Sequence, residues 1–147
     1  MRIEASTFVA APPATVLAVY ADYRRWPQLF PTIKAVHVVS QGGPRVVLAI
    51  DHLEGTVSNE IEVRPPDTFK LWEVKRHYDA RFSNRFEPVA GGSLFTVHAA
   101  IRLKGWARLL QPFLRPYVRR QIQRLQLLPV RLEAESRARP ARPDPLG

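Results

Sequence analysis

The sequence has no cysteine, so disulfides, thiolate nucleophiles and thiolate metal ligands are excluded and the fold must rest on packing alone. No apolar run approaches the length that spans a bilayer, and Met1-Arg2-Ile3-Glu4 lacks the basic start and apolar stretch of a secretory signal. These absences predict a cytoplasmic protein. A His-Glu-x-x-His pair, a Gly-x-Ser-x-Gly elbow, a Gly-x-x-x-x-Gly-Lys phosphate loop and a dinucleotide-binding glycine fingerprint are also missing. Their absence argues against the common zinc enzymes, hydrolases, nucleotidases and dehydrogenases. The four histidines, His37, His52, His77 and His98, are scattered and never paired at helical spacing, so no metal or other cofactor is expected.

What is present is a chain of 147 residues, 46% apolar, sized for one domain that buries well over half of its unfolded surface. Its formal charge of +9 is unevenly placed: residues 1–101 hold 11 cations and 10 anions, and residues 102–147 hold 11 cations and only 3 anions. Any attraction to phosphate or anionic lipid therefore acts through the C-terminal third.

Alternation predicts a first strand over Ile3–Ala10, with Ile3, Ala5, Thr7 and Val9 on one face. Ala11-Pro12-Pro13 ends it, and Val16, Leu17, Tyr20 and Tyr23 then recur at helical spacing, which predicts a helix from Pro13 to Tyr23. Trp26-Pro27-Gln28-Leu29-Phe30-Pro31 allows only a short helical turn, whose rings plug one end of the core. Six further strands are predicted at Ile33–Ser40, Arg45–His52, Thr56–Val63, Thr68–Val74, Ala80–Pro88 and Leu94–Leu103. Turn signals such as Gly42-Gly43-Pro44, Glu54-Gly55, Arg64-Pro65-Pro66-Asp67 and Gly91-Gly92 separate them, as in a meander of hairpins.

After Gly105 the period becomes helical again. Trp106, Leu109, Leu110, Phe113, Leu114, Tyr117, Val118, Ile122, Leu125, Leu128 and Leu132 are expected to form one apolar stripe, opposite a face rich in arginine. Pro112 and Pro116 predict a kinked or separate start, and Pro129 a second bend, in a helix reaching about Ser136. The folded domain thus covers residues 1–136, and residues 137–147 are expected to be a disordered, basic, proline-rich tail.

The sequence resembles the START-related superfamily of polyketide cyclase/dehydrase and lipid-transport proteins. The resemblance is carried by Val9-Ala10-Ala11-Pro12-Pro13-Ala14-Thr15-Val16, by Asp22-Tyr23-Arg24-Arg25-Trp26-Pro27, and by Phe86-Glu87-Pro88 followed by Gly91-Gly92-Ser93. Each motif encodes a turn or corner; their order and spacing, spanning Ile3 to Ser136, carry the specificity. The resemblance implies an α+β helix-grip fold, in which a curved antiparallel seven-stranded sheet wraps around a long C-terminal helix, with two short helices between strands 1 and 2. It also implies a cavity for a lipid, an isoprenoid quinone or a polyketide-like molecule. Members share no catalytic motif, so the catalytic residues are unknown and a carrier is favoured over an enzyme.

The candidate cavity residues are Trp72, Phe82, Asn84, Phe86, Val97, Trp106, Phe113 and Tyr117. Aromatic walls with one or two polar groups suit a small-molecule pocket, although periodicity alone does not separate lining a cavity from filling it. Asn84 lies between Phe82 and Phe86 on the face read as interior, where an amide needs a protein or ligand partner. His98 falls on the face opposite Phe95, Val97, Ala99 and Ile101, which makes it a poor catalyst candidate. The basic surface at Arg119, Arg120 and Arg124 suits an anionic membrane; nucleic acid is disfavoured because the aromatic residues are assigned to the apolar face. The alternatives to a carrier are a cyclase/dehydratase-type enzyme that polarises a carbonyl with Asn84 or a histidine, and an interaction protein docking through its basic helix on RNA, a ribosome or a membrane.

Overall fold

Turn residues cut the chain into hairpins, and the strands between them are β1 (Arg2–Val9), β2 (Ile33–Gly42), β3 (Arg45–His52), β4 (Gly55–Arg64), β5 (Thr68–Val74), β6 (Tyr78–Val89) and β7 (Gly92–Leu103). In the computed structural model, which describes residues 1–140, they form one antiparallel sheet in the order β1-β7-β6-β5-β4-β3-β2. Sequential strands pair with their neighbours, and β1 closes the far side by pairing with β7, Ile3 opposite Ala99. At the other edge β2 slips register against β3 twice, between Ile33 and Ala35 and between Val38 and Ser40.

Between β1 and β2 lie α1 (Pro13–Ala21), a tight turn of helix at Tyr23–Arg25, and α2 (Trp26–Leu29). Pro13 occupies the first position of α1, where its missing N–H costs nothing, and the Pro12 carbonyl accepts from the N–H groups of Thr15 and Val16. The helix ends two residues earlier than its periodicity predicts; Asp22 leaves the helical region and Tyr23 opens the next turn.

The inward rows of the sheet bury Leu48 and Ile50 of β3, Phe69 of β5, Phe86 of β6, and Phe95 and Val97 of β7. Tyr20 of α1 stands among these rings, edge-on to Phe69 at 4.6 Å and to Phe95 at 5.7 Å, while Phe86 and Phe95 stack at 5.0 Å. Trp26 and Phe30 complete the plug, with Trp26 Nε1 donating to the Tyr20 carbonyl at 2.9 Å.

The C-terminal helix has four consecutive parts: a tight 3₁₀ start at Gly105–Leu110, α3 (Gln111–Ile122), a π turn at Gln123–Leu127, and α4 (Leu128–Ala138). Pro112 enters at the first turn of α3 and Pro116 sits within it. The π turn immediately precedes Pro129, whose ring has no N–H to give and crowds the carbonyl four residues back; there the Leu128 N–H reaches back five residues to the Gln123 carbonyl. Glu135 clamps α4 to the end of β1 by accepting from the Ala10 N–H at 3.2 Å and Arg131 Nε at 3.0 Å. Although burial opposes its charge, those donors, with help from Arg139, hold its carboxyl below the usual range.

The helix reaches Ala138, so Arg137, expected in the tail, is helical and donates to Glu133 at 3.0 Å. Residues 141–147, the rest of the expected tail, lie outside the described residues. The single apolar stripe is also corrected. Ile122, Leu127, Val130 and Ala134 are buried and Leu114 and Val118 pack partly against the core, but Trp106, Leu109, Phe113, Tyr117, Leu128 and Leu132 are exposed. A sheet of this width covers only one side of the helix, and the row through Trp106 and Phe113 falls outside it. The architecture is that of the helix-grip fold.

Candidate functional site

Beyond the aromatic plug the sheet and helix do not close on each other. A cavity of about 500 Å³ lies between the inner face of β3–β7 and the helix residues Leu114, Val118, Ile122 and Leu125. Tyr20, Trp26 and Phe30 form its floor, Ile50, Leu71, Phe82, Ile101 and Leu103 its walls, and the exposed Leu53, Glu54 and Tyr117 stand at its mouth. These positions follow from strand period: Leu48, Ile50 and His52 point inward on β3, as do Phe69, Leu71 and Glu73 on β5.

The same rows bring polar groups into an otherwise apolar space. His52 Nε2 and Gln126 Oε1 are buried with no hydrogen-bond partner among the described residues. Burial, and then the nearby Lys75 charge, push the His52 imidazole below its ordinary pKa, only partly offset by Glu73, Glu54 and Asp51, so it is neutral at neutral pH. Near the mouth Lys75 Nζ sits 2.8 Å from Glu73 Oε1 and 5.4 Å from the centre of the Tyr78 ring. Burial works against the Lys75 charge, but Glu73 outweighs it and raises the ammonium pKa. Tyr78 is raised too, by burial first and by the Glu73 carboxylate second.

On the floor, full burial drives the Tyr20 hydroxyl far above its ordinary pKa; the adjacent Asn84 amide opposes that rise and Glu73 adds to it. Tyr20 is therefore a neutral hydroxyl at every physiological pH. Asn84 is completely buried behind it, and neither amide atom completes a hydrogen bond among the described residues.

Of the residues read as cavity lining, Phe82 is on the wall and Tyr117 at the mouth. Asn84, Phe86 and Val97 are fully buried in the packed core behind the floor. Trp72 is on the opposite face of the sheet with Lys70, Arg81 and His98, because it is out of phase with the inward Leu71 and Glu73. Trp106 and Phe113 face solvent at 69% and 78% exposure. Arg119, Arg120 and Arg124 are exposed on the helix. His98 faces outward as expected, 3.4 Å from Glu4, and His37 pairs with Asp51 at 3.3 Å on the outer face. His52, Gln126 and the Glu73–Lys75 pair were not singled out from the sequence. For His52 and Glu73 the alternation of apolar neighbours carried the signal; for Gln126 none existed, since the π turn shifts the helical phase at that point.

No group of three or more potential metal ligands is assembled among the described residues. No helix there is long and apolar enough to cross a membrane.

No curated protein sequence matches this chain. Among solved structures it is similar to the Zhui aromatase/cyclase of a Streptomyces species, at 17% identity and a TM-score of 0.79, covering 98% of this chain and 99% of that one. A START superfamily protein from Mycobacterium smegmatis aligns over 93% of this chain and 96% of its own, at 16% identity and a TM-score of 0.63. The di-domain aromatase/cyclase StfQ of the steffimycin biosynthetic pathway matches at 17% identity and a TM-score of 0.77 over 93% of this chain, which spans 51% of the StfQ chain. These likenesses establish the fold. The model of the polyketide cyclase / dehydrase and lipid transport family matches residues 1–128, the sheet, both short helices and the cavity-lining part of the long helix, so the chain belongs to that family.

Proposed function

We propose that this protein binds and carries a hydrophobic small molecule, of the lipid, isoprenoid quinone or polyketide-like class, in the cavity between the sheet and the C-terminal helix. The observation that carries this reading is the cavity itself: about 500 Å³ of mainly apolar wall, within the range that holds small ligands. His52 Nε2 and Gln126 Oε1 supply polar contacts of the kind that orient a carbonyl or hydroxyl on an otherwise apolar ligand. Family membership supports the same reading. Native mass spectrometry of the purified chain after exposure to lipids, quinones and aromatic polyketides tests it. A retained apolar ligand, lost when Phe82→Trp narrows the cavity, is the expected result; failure to retain any compound of these classes overturns the proposal.

A second reading, a cyclase/dehydratase-type enzyme, is favoured by the two neutral proton carriers on one cavity, the His52 imidazole and the Tyr20 hydroxyl. Such a pair suits proton transfer to and from a polarised carbonyl. Incubation with a poly-β-ketone thioester separates the readings: a carrier returns it unchanged, whereas an enzyme returns a cyclised product whose formation His52→Gln suppresses.

A further inference from the structure

The C-terminal helix leaves an apolar ridge in water. Trp106, Leu109, Phe113 and Tyr117 recur every three or four residues and are 69%, 80%, 78% and 59% exposed. Leu53, across the cavity mouth, is 63% exposed. Monomeric soluble proteins rarely leave a continuous apolar surface of this kind without a partner for it.

The helix charges that continue the ridge are of one sign, while across the mouth Glu54 stands beside Leu53. Arg120 and Arg124 continue it at the same spacing beyond Tyr117; both are exposed, and among the described residues neither makes an ion pair, whereas Arg115 and Arg119 turn to the other side of the helix, over β1. Between Glu87 and Glu133 the sequence holds no carboxylate at all. Further along the same helix, where acids are supplied, arginines pair at once: Arg131 with Glu135 and Arg137 with Glu133, both at 3.0 Å. Arg120 and Arg124 thus lack counterions among the described residues.

We infer that this ridge docks on the surface of an anionic phospholipid bilayer. Tryptophan, phenylalanine and leucine enter the headgroup boundary while the arginines meet lipid phosphates, the pattern of an interfacial amphipathic helix. A second copy of the chain would set arginine against arginine. An RNA strand would satisfy the arginines but leave Leu53 and Leu109 without an apolar partner. Tyr117 belongs to both the ridge and the cavity mouth, so docking brings the opening to the membrane, where an apolar molecule passes without crossing water. The inference goes beyond the carrier reading and stands apart from it, because docking is measured with the cavity empty or full.

The test is flotation of the full chain with vesicles of phosphatidylcholine alone or mixed with phosphatidylglycerol, read together with tryptophan emission. Binding to the mixed vesicles, a blue shift that Trp106→Phe abolishes, and at least roughly tenfold weaker binding to phosphatidylcholine alone are expected. Neutralising Arg120 and Arg124 to glutamine should weaken binding about fivefold per charge. Trp106→Ala with Phe113→Ala should weaken it by roughly tenfold or more while circular dichroism stays unchanged. Three outcomes overturn the inference: no binding to either vesicle; binding that the arginine variants weaken but the Trp106 and Phe113 variants do not; or preference for a single-stranded RNA homopolymer over the mixed vesicles.

Discussion

His52 marks where this cavity departs from a plain apolar core, because an imidazole with an unpartnered nitrogen is held neutral there by burial and by Lys75. The sign of its linkage is definite. Its folded pKa is below the unfolded value, so between the two the unfolded chain binds the extra proton, and stability is lost as pH falls through about 6.5. Urea unfolding at about pH 7.5 and about pH 5.5 should show wild type losing more stability than His52→Gln across that interval, which spans the histidine range. Identical losses would show that His52 does not titrate as described. Tyr20 is a contrasting case: its hydroxyl is neutral throughout this range and contributes packing and polarity but no charge. Of these two, only Tyr20 could be read as a structural residue from its helical spacing. His52 was legible too, had Leu48 and Ile50 been taken as defining the inward row that it ends.

Among the elements, the pairing of β1 with β7 depends on one glycine. A Cβ on Gly92 would sit 2.1 Å from the Val9 carbonyl oxygen, at the point where Ser93 Oγ also donates to the Ala11 carbonyl at 2.6 Å. The atoms in the way are Val9 and Ala10 backbone, which cannot swing aside as a side chain can, so Gly92→Ala is expected to destabilise by about 3 kcal/mol. Gly42→Ala, whose Cβ meets nothing within 4 Å, should stay within about 0.5 kcal/mol of wild type in the same unfolding assay. Hairpin elements of this kind are well written in the sequence: β3 and β5 begin and end at the predicted residues, with Gly43-Pro44 and Glu54-Gly55 bracketing β3, Pro65-Pro66 preceding β5, and side-chain period filling the intervals, although no glycine or proline marks the end of β5. The C-terminal helix is less legible. Period finds an apolar row but not which part of it the sheet covers, so Trp106 and Phe113 read as lining although they face solvent. Trp72 misleads for a different reason, since aromatic character suggested a wall while its phase against Phe69 and Leu71 put it on the other face.

For the whole molecule, an open cavity implies a reserve of stability that a ligand can supply. Any compound bound only by the folded state contributes about 2.7 kcal/mol at a hundredfold excess over its Kd, which for a domain of this size raises Tm by about 5–10 °C. Differential scanning calorimetry against a panel of apolar compounds should find such a shift, and a Tm that no compound moves would count against an accessible cavity. The order of the sheet has a separate consequence. One border, β1, is covered by α3 and α4, but the other, β2, presents bare backbone with Val38 and Val39 exposed at 42% and 65%. Its two slips of register put the free N–H and C=O groups out of step, so a straight incoming strand meets mismatched partners beyond the first few residues. An irregular edge of this kind is a poorer template for an added strand than a straight one.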